Sequence, residues 1–320
     1  MRGFILRAAI VAAVVFSGHP SAIAETAAVP AKGGDAIGHG RRMLGVFTEG
    51  FKPEAAKAFE EWLGRKLDYA VVFGGQDNGW HDFVGSVWAT KNAWPPTRKL
   101  LWSQPLIAKD WKSPKPIANL RDAASGAYDK DWQETLDHIG GHDPNAIVRL
   151  GWEFNGDWYP WRAAADQKGY VDAFRHFVQL ARANHPHFKF MWCPNVGSPE
   201  SDPERAYPGD DAVDIIGMDV YEKSQWDKGT PDQRWQNILT RQGRGLDWLA
   251  SFATQHRKPI AIPEWASDYD DGEFIRHMHD WMAAHNVAMQ SYWDSDSSFS
   301  GSFKSHPKNG AVYKELFRDW

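Results

Sequence analysis

Short continuous apolar runs alternate with longer segments of helical periodicity along most of this 320-residue chain. The runs are "MLGVFTE" (43–49), "DYAVVFGG" (68–75), "KLLWSQP" (99–105), "AIVRLGWE" (146–153), "FKFMWCPN" (188–195), "VDIIGMDVY" (213–221), "PIAIPEW" (259–265) and "VAMQSYWD" (287–294). They lack the strict polar alternation of a half-exposed strand, so they read as parallel strands covered on both faces. Helical patterns fall between them at 52–67, 129–141, 168–185, 231–257 and 272–286. In 168–185, Val171, Phe174, Phe177, Val178 and Ala181 recur at three- and four-residue steps, one face of a helix. Eight strands with intervening helices predict an α/β fold, a single (β/α)8 barrel. An open doubly wound sheet is the competing topology, but it usually has fewer strands. "GVFTEGF" after the first run also lacks the G-x-G-x-x-G turn of a dinucleotide site.

The N-terminus breaks this pattern. Arg2 and Arg7 precede an apolar stretch from Ala8 to Phe16, and Ala22-Ile23-Ala24 has the form of a cleavage site. The apolar core is shorter than the ~20 residues a membrane span requires. The expected organisation is therefore a signal peptide over 1–24, a flexible polar lead over 25–42 and a catalytic barrel over 43–320, exported to the periplasm or medium as a monomer without a membrane anchor. The formal net charge of −5 disfavours nucleic acid or an anionic membrane as a partner. Cys193 is the single cysteine, so no internal disulfide can form, and its apolar strand favours a buried, inert thiol.

Composition changes the picture in one respect: the chain holds 18 tryptophans. Trp62, Trp132, Trp235, Trp248 and Trp281 lie in helical patterns and read as packing. Trp80, Trp152, Trp158, Trp161, Trp192, Trp265 and Trp293 lie at or just beyond strand ends. An indole offers a broad apolar face with a polar N–H at its edge, which suits a sugar ring with its C–H faces and hydroxyl rim. Polar groups collect at the same C-terminal strand ends: Glu49, Gln76, Asp77 and Asn78, Glu153, Asn195, Asp219 with Tyr221, Glu264 and Asp294. In a barrel that end carries the active site.

Glu153 closes the fourth run and Glu264 the seventh. Strands three apart face each other across a barrel mouth, so these carboxylates can converge. A retaining glycosidase needs such a pair about 5–5.5 Å apart, one to protonate the leaving oxygen and one to attack the anomeric carbon. Either glutamate alone reads equally well as a salt-bridged barrel-end residue; the pairing, with tryptophans beside both, points to catalysis. The histidine pairs in "HPH" (185–187) and "HMH" (277–279) are two residues apart, and within the second, helical, pair the side chains point to different faces. No metal or cofactor is expected.

"RLGWEFNGDW" (149–158) resembles the acid/base signature of glycoside hydrolase family 26, Arg-Pro-x-His-Glu-x-Asn-Gly-x-Trp. Arg149, Glu153, Asn155, Gly156 and Trp158 match position by position. "YPGDDAVDIIGMDVY" (207–221) is similar to the family's stretch ending in Asp-x-Tyr, here Asp219 and Tyr221. "KPIAIPEWA" (258–266) is similar to the segment bearing the family nucleophile, here Glu264, and Trp293 falls at the family's eighth-strand tryptophan. The resemblance implies a (β/α)8 retaining endo-glycanase with Glu153 as acid/base and Glu264 as nucleophile. It implies that Tyr221 orients Glu264, that Arg149 steadies the acid pair, and that Trp152, Asn155, Trp158, Trp161, Asn195, Asp219, Trp265 and Trp293 serve the substrate. Leu150 and Trp152 replace the family's Pro and His, so a β-glycan backbone is implied without mannose being specified: mannan, mixed-linkage glucan and a bacterial exopolysaccharide remain open. The competing functions are a non-catalytic glycan-binding barrel and a metal-dependent hydrolase, for which ligands are lacking.

Overall fold

The computed structural model describes residues 42–49, 52–109 and 118–320. The expected signal peptide (1–24) and all but the last residue of the lead (25–42) lie outside the described residues. Eight parallel strands close into a barrel in sequence order. They are β1 (Met43–Phe47), β2 (Tyr69–Phe73), β3 (Leu100–Gln104), β4 (Ile147–Leu150), β5 (Lys189–Trp192), β6 (Ile215–Glu222), β7 (Ile260–Ser267) and β8 (Met289–Trp293). The helices are α1 (Pro53–Leu63), α2 (Gly79–Ala93), α3 (Leu120–Ala124), α4 (Asp129–His142), α5 (Gln167–Asn184), α6 (Pro231–Thr240), α7 (Leu246–His256), α8 (Glu273–Ala284) and α9 (Pro307–Phe317). The expected (β/α)8 barrel is the observed fold. Among the described residues no helix is long and apolar enough to cross a membrane.

Four elements differ from the sequence pattern: the five-residue α3, too short to show a period, and three others, each for a local reason. The helix expected over 231–257 is two. Gln242 adopts φ 49° and the chain turns through Gly243 to Gly245. A Cβ on Gly245 would lie 2.3 Å from the carbonyl oxygens of Ile238 and Leu239, so glycine is the residue that permits this turn. Helix α2 has no counterpart in the pattern, because Phe83 and Val87 are buried while Trp88 is exposed, which leaves no clean apolar stripe. Helix α9 follows β8 as the last helix of the strand–helix alternation, where the sequence pattern showed no helix, and packs against the barrel layer through Tyr313 and Phe317, both fully buried.

Strand β7 carries the irregularity that matters most for the site. Its register with β6 steps from Gly217↔Ala261 to Asp219↔Glu264, and with β8 from Ile262↔Gln290 to Trp265↔Tyr292. Both shifts bracket Pro263, which has no N–H to give to the ladder, and the extra residue forms a bulge. Bulges re-aim side chains at barrel rims. Glu264 here reaches Arg149 and Tyr221, whereas Trp265 packs against Phe274 of α8 and Tyr313 and Phe317 of α9.

Trp265 is thus a wedge between barrel and helices, fully buried, with its indole N–H donating to Gln290 Oε1 at 2.7 Å. Trp265→Ala is expected to lower unfolding free energy by about 3–5 kcal/mol. The shift of the denaturant midpoint measures this, and an unchanged midpoint would contradict the packing role.

Candidate active site

Chain geometry just past β4 creates the first half of the site. The strand ends at Leu150, and Gly151 and Glu153 both take positive φ, 51° and 50°. For a residue with a Cβ this backbone region is sparsely populated, at a cost of about 1–3 kcal/mol, and it is found mostly where function fixes it. The Glu153 N–H donates to the carbonyl of Cys193 at 2.8 Å, which pins the turn to the end of β5. The side chain then receives two hydrogen bonds, from Trp158 Nε1 to Oε2 at 2.8 Å and from Asn195 Nδ2 to Oε1.

This geometry gives physical content to the Glu-x-Asn-Gly-x-Trp spacing. Asn155 donates to the carbonyls of Asn195 and Gly197 and accepts from the Asn195 N–H, so it fixes the backbone of the residue that holds Glu153. A Cβ on Gly156 would fall 2.3 Å from the Trp158 ring. Glycine therefore lets the indole fold back over the turn and reach the carboxylate.

The second half is built on Glu264. Tyr221 donates to its Oε1 at 2.5 Å and Arg149 Nη2 donates to its Oε2 at 2.8 Å. Arg149 is fully buried; its Nη1 donates to Asp219 Oδ1 at 2.6 Å and its Nε to Ser103 Oγ at 2.9 Å. The guanidinium also lies 5.2 Å from the Phe73 ring centroid and 5.4 Å from that of Trp152.

Carboxylate oxygens of Glu153, Asp219 and Glu264 lie within 4.8 Å of one another. Among the described residues this is the cluster with metal-ligand proximity. Arg149, bonded to two of its members, already supplies the countercharge a divalent ion would bring. The two glutamates are not equivalent. Burial, and then the Glu264 charge, push the Glu153 carboxyl above the ordinary glutamate range, against the opposing pull of its Asn195 and Trp158 hydrogen bonds. Burial likewise pushes the Tyr221 hydroxyl and the Cys193 thiol upward, so both stay protonated.

The pair opens into a cleft of about 670 Å³ with aromatic walls that include Phe47, Phe73, Trp152, Trp158, Trp293 and Phe299. Trp158 is 45% exposed. Trp293 stacks on Phe47 with ring centroids 4.0 Å apart, and its buried indole N–H has no hydrogen-bond partner. Gln76 Oε1, also on the cleft wall, is likewise unpartnered.

The structure therefore sorts the sequence-derived residues. Glu153, Glu264, Trp152, Trp158, Tyr221 and Trp293 face one cleft, and Asn195 reaches it through Glu153. Corrections apply to five others. Arg149, Asn155 and Asp219 are fully buried beneath the cleft, which corrects the expectation of direct substrate contact; Arg149 bonds Glu264, the positioning role expected of it, and Asn155 fixes the Asn195 loop. Trp161 and Trp265 are fully buried as well. Trp161 lies under Tyr159 and donates to the Trp152 carbonyl, and Trp265 faces the helix layer because of the β7 bulge. Strand-end position identifies these indoles but cannot say which face they take. Phe47, Phe73, Tyr159, Lys223 and Phe299 line the cleft without having stood out in the sequence. Phe47 and Phe73 end β1 and β2, so the rule applied to tryptophan would have found them; Phe299 lies in the loop after β8, where no periodic signal exists.

Comparison with known proteins agrees with this geometry. The model of glycosyl hydrolase family 26 matches residues 127–253. Endoglucanase H of Acetivibrio thermocellus is 28% identical over 303 residues, covering 86% of this chain and 31% of that protein. A mannan endo-1,4-beta-mannosidase of Bifidobacterium adolescentis is 23% identical over 226 residues, covering 62% of this chain and 22% of its own length. The chain thus spans about a third or less of these curated relatives. Among solved structures, the Bacillus subtilis mannanase man26 superposes with a TM-score of 0.60 at 16% identity, covering 86% of this chain and 85% of that one. A family 26 β-mannanase from Bacteroides ovatus gives 0.59 at 15% identity, covering 87% and 88%; at such identities the likeness speaks for the fold. The family match spans the β4 turn, β5 and β6, so over residues 127–253 the chain is similar to glycosyl hydrolase family 26.

Proposed function

We propose that the chain is a retaining endo-β-glycanase that cleaves the backbone of a β-linked polysaccharide: a mannan, a mixed-linkage glucan or a bacterial exopolysaccharide. One observation carries the reading. Glu153 and Glu264 have carboxylate oxygens within 4.8 Å of each other on the floor of an aromatic cleft, the separation of double displacement rather than of inversion, where a water must fit between the two groups.

The environments assign the roles. Glu264 accepts from Tyr221 and Arg149, which hold it aimed into the cleft, so it attacks the anomeric carbon and forms the glycosyl-enzyme. Glu153, with its raised proton affinity, donates a proton to the departing glycosidic oxygen. It then takes a proton from the water that releases the sugar. Trp158 and Trp293 present indole edges and faces to the sugar rings. Trp152 stands where the family resemblance has histidine, which leaves a glucan backbone as compatible with the cleft as a mannan. The leader over residues 1–24 is proposed to export the enzyme.

Glu153→Ala and Glu264→Ala should each lower kcat on a cleaved glycan by several orders of magnitude, and Glu264→Ala, which leaves the buried Arg149 short of one carboxylate, should also lower thermal stability while circular dichroism stays native-like. Azide should restore turnover of Glu264→Ala with inverted product, seen by NMR. Near-wild-type reducing-sugar release by either variant rules out its role, and binding of a glycan panel without hydrolysis by the intact protein would favour a non-catalytic barrel.

The pH dependence has a definite sign. Glu153 acts when protonated, and its affinity for the proton is raised, so activity persists above the ordinary glutamate range and falls as pH rises through the Glu153 transition. Asn195→Ala removes a donor that favours the ionised form, so the alkaline limb of kcat/KM should move to higher pH. A limb that stays in place or moves down contradicts the assignment.

A further inference from the structure

Among the described residues that line the cleft, Lys223 is the cationic one. Two carboxylates of this rim are paired, Glu49 with Lys52 at 3.0 Å and Glu264 with Arg149 at 2.8 Å. Lys223, on the turn that follows β6, is not. Its ammonium rests 5.3 Å from the Tyr221 ring centroid and 5.9 Å from that of Phe299; its charge is felt through space by Glu153, but no carboxylate among the described residues lies within ion-pairing distance of it. Aromatic faces attract a cation but do not cancel its charge.

The lysine is also held in place. Its N–H donates to Asp227 Oδ2 at 2.8 Å, and its carbonyl accepts from the N–H groups of Trp226 and Asp227. Asp227 is fully buried and is itself tied to Asn237 and Arg241. A long flexible side chain is thus mounted on a fixed turn and laid across two rings that border the cleft. On the far side, at the ends of β1 and β2, the wall carries Glu49 and Asp77. With Glu49 paired to Lys52, the cleft is asymmetric in charge, cationic after β6 and acidic at Asp77 after β2.

Building on the glycan-cleft reading, we propose that Lys223 binds a carboxylate borne by the glycan, which makes the preferred substrate an acidic rather than a neutral β-linked polysaccharide. A carboxylate set over Tyr221 completes an ion pair with Lys223, and Asp77 disfavours the same group at the other wall. The substituent therefore fixes which way the chain lies across Glu153 and Glu264. Uronic acids and pyruvate ketals both supply such a carboxylate.

The test compares two derivatives of one glycan, carboxymethyl and hydroxyethyl ethers, which match in bulk and differ in charge. The probes are made from mannan, mixed-linkage glucan and β-1,3-xylan. Affinity electrophoresis in gels containing each probe measures binding, and reducing-sugar release is measured in parallel. The wild-type protein should bind the carboxymethyl form of at least one glycan about tenfold more tightly than its hydroxyethyl partner, the scale of one charge-assisted hydrogen bond. Lys223→Met should bring that ratio towards one, and Lys223→Arg should restore it. A wild-type ratio near one, a ratio unchanged in Lys223→Met, or no retardation in any gel overturns the proposal. So does an equal effect of Lys223→Met on both forms accompanied by a shifted pH profile, which would assign the lysine to the proton affinity of Glu153. Competition by methyl glucuronide or by a pyruvate-ketal methyl glucoside identifies the source of the carboxylate, and failure of both to compete also overturns it. Charge-dependent binding without hydrolysis would leave this inference standing and remove the hydrolytic reading.

Discussion

Arg149 holds the centre of the molecule together. A guanidinium with no exposure to solvent is tolerated only when its charge and donors are matched, and removing one partner of such a buried pair commonly costs about 3–5 kcal/mol. Here β3 supplies Ser103, β6 supplies Asp219 and β7 supplies Glu264. One side chain on β4 thus ties the inward faces of three other strands at the level where the barrel opens. The planar fork of arginine fits two carboxylates at once, which an ammonium could not do with the same geometry. Glu264 enters the site already oriented because the fold needs that contact.

Above this tie, two departures from regular backbone aim the chemistry. The positive φ at Glu153 turns a carboxylate back over the barrel mouth, and the bulge at Pro263 lets Glu264 face inward while Trp265 faces the helices. Both lie at the C-terminal end of the barrel, where loops can vary without disturbing the ladder. The strain at Glu153 is offset by three hydrogen bonds, one tying its backbone to β5 and two reaching its side chain from Trp158 and Asn195.

These supports make two glutamates chemically different within one cavity. Glu264 sits against a permanent positive charge and a tyrosine hydroxyl, whereas Glu153 has only neutral donors and a low-dielectric aromatic wall. The burial around Glu153 raises its proton affinity, the kind of environment that keeps a carboxyl protonated for acid chemistry. Around them the indoles divide according to which side of the chain they leave: Trp152, Trp158 and Trp293 border the cleft, and Trp161 and Trp265 fill the interior.

Periodicity alone was enough for the barrel, since eight continuous apolar runs separated by helical patterns leave few other ways to bury both faces of a parallel sheet. Chain order likewise put Glu153 and Glu264 at the same rim, because strand position in a closed barrel is set by sequence order. Side-chain direction was beyond that reach. A one-residue bulge reverses the alternation of a strand, so whether position 264 or 265 faced the cleft depended on Pro263 and its neighbours on β6 and β8. Pairing was beyond it too: that Arg149 is buried between two acids, and that Lys223 has rings but no carboxylate, follow from contacts between residues dozens of positions apart. The amino-acid order determined the fold, the rim and the two acids. The tertiary structure decided which neighbours each group meets, because burial and charge act through space, where separation along the chain has no meaning.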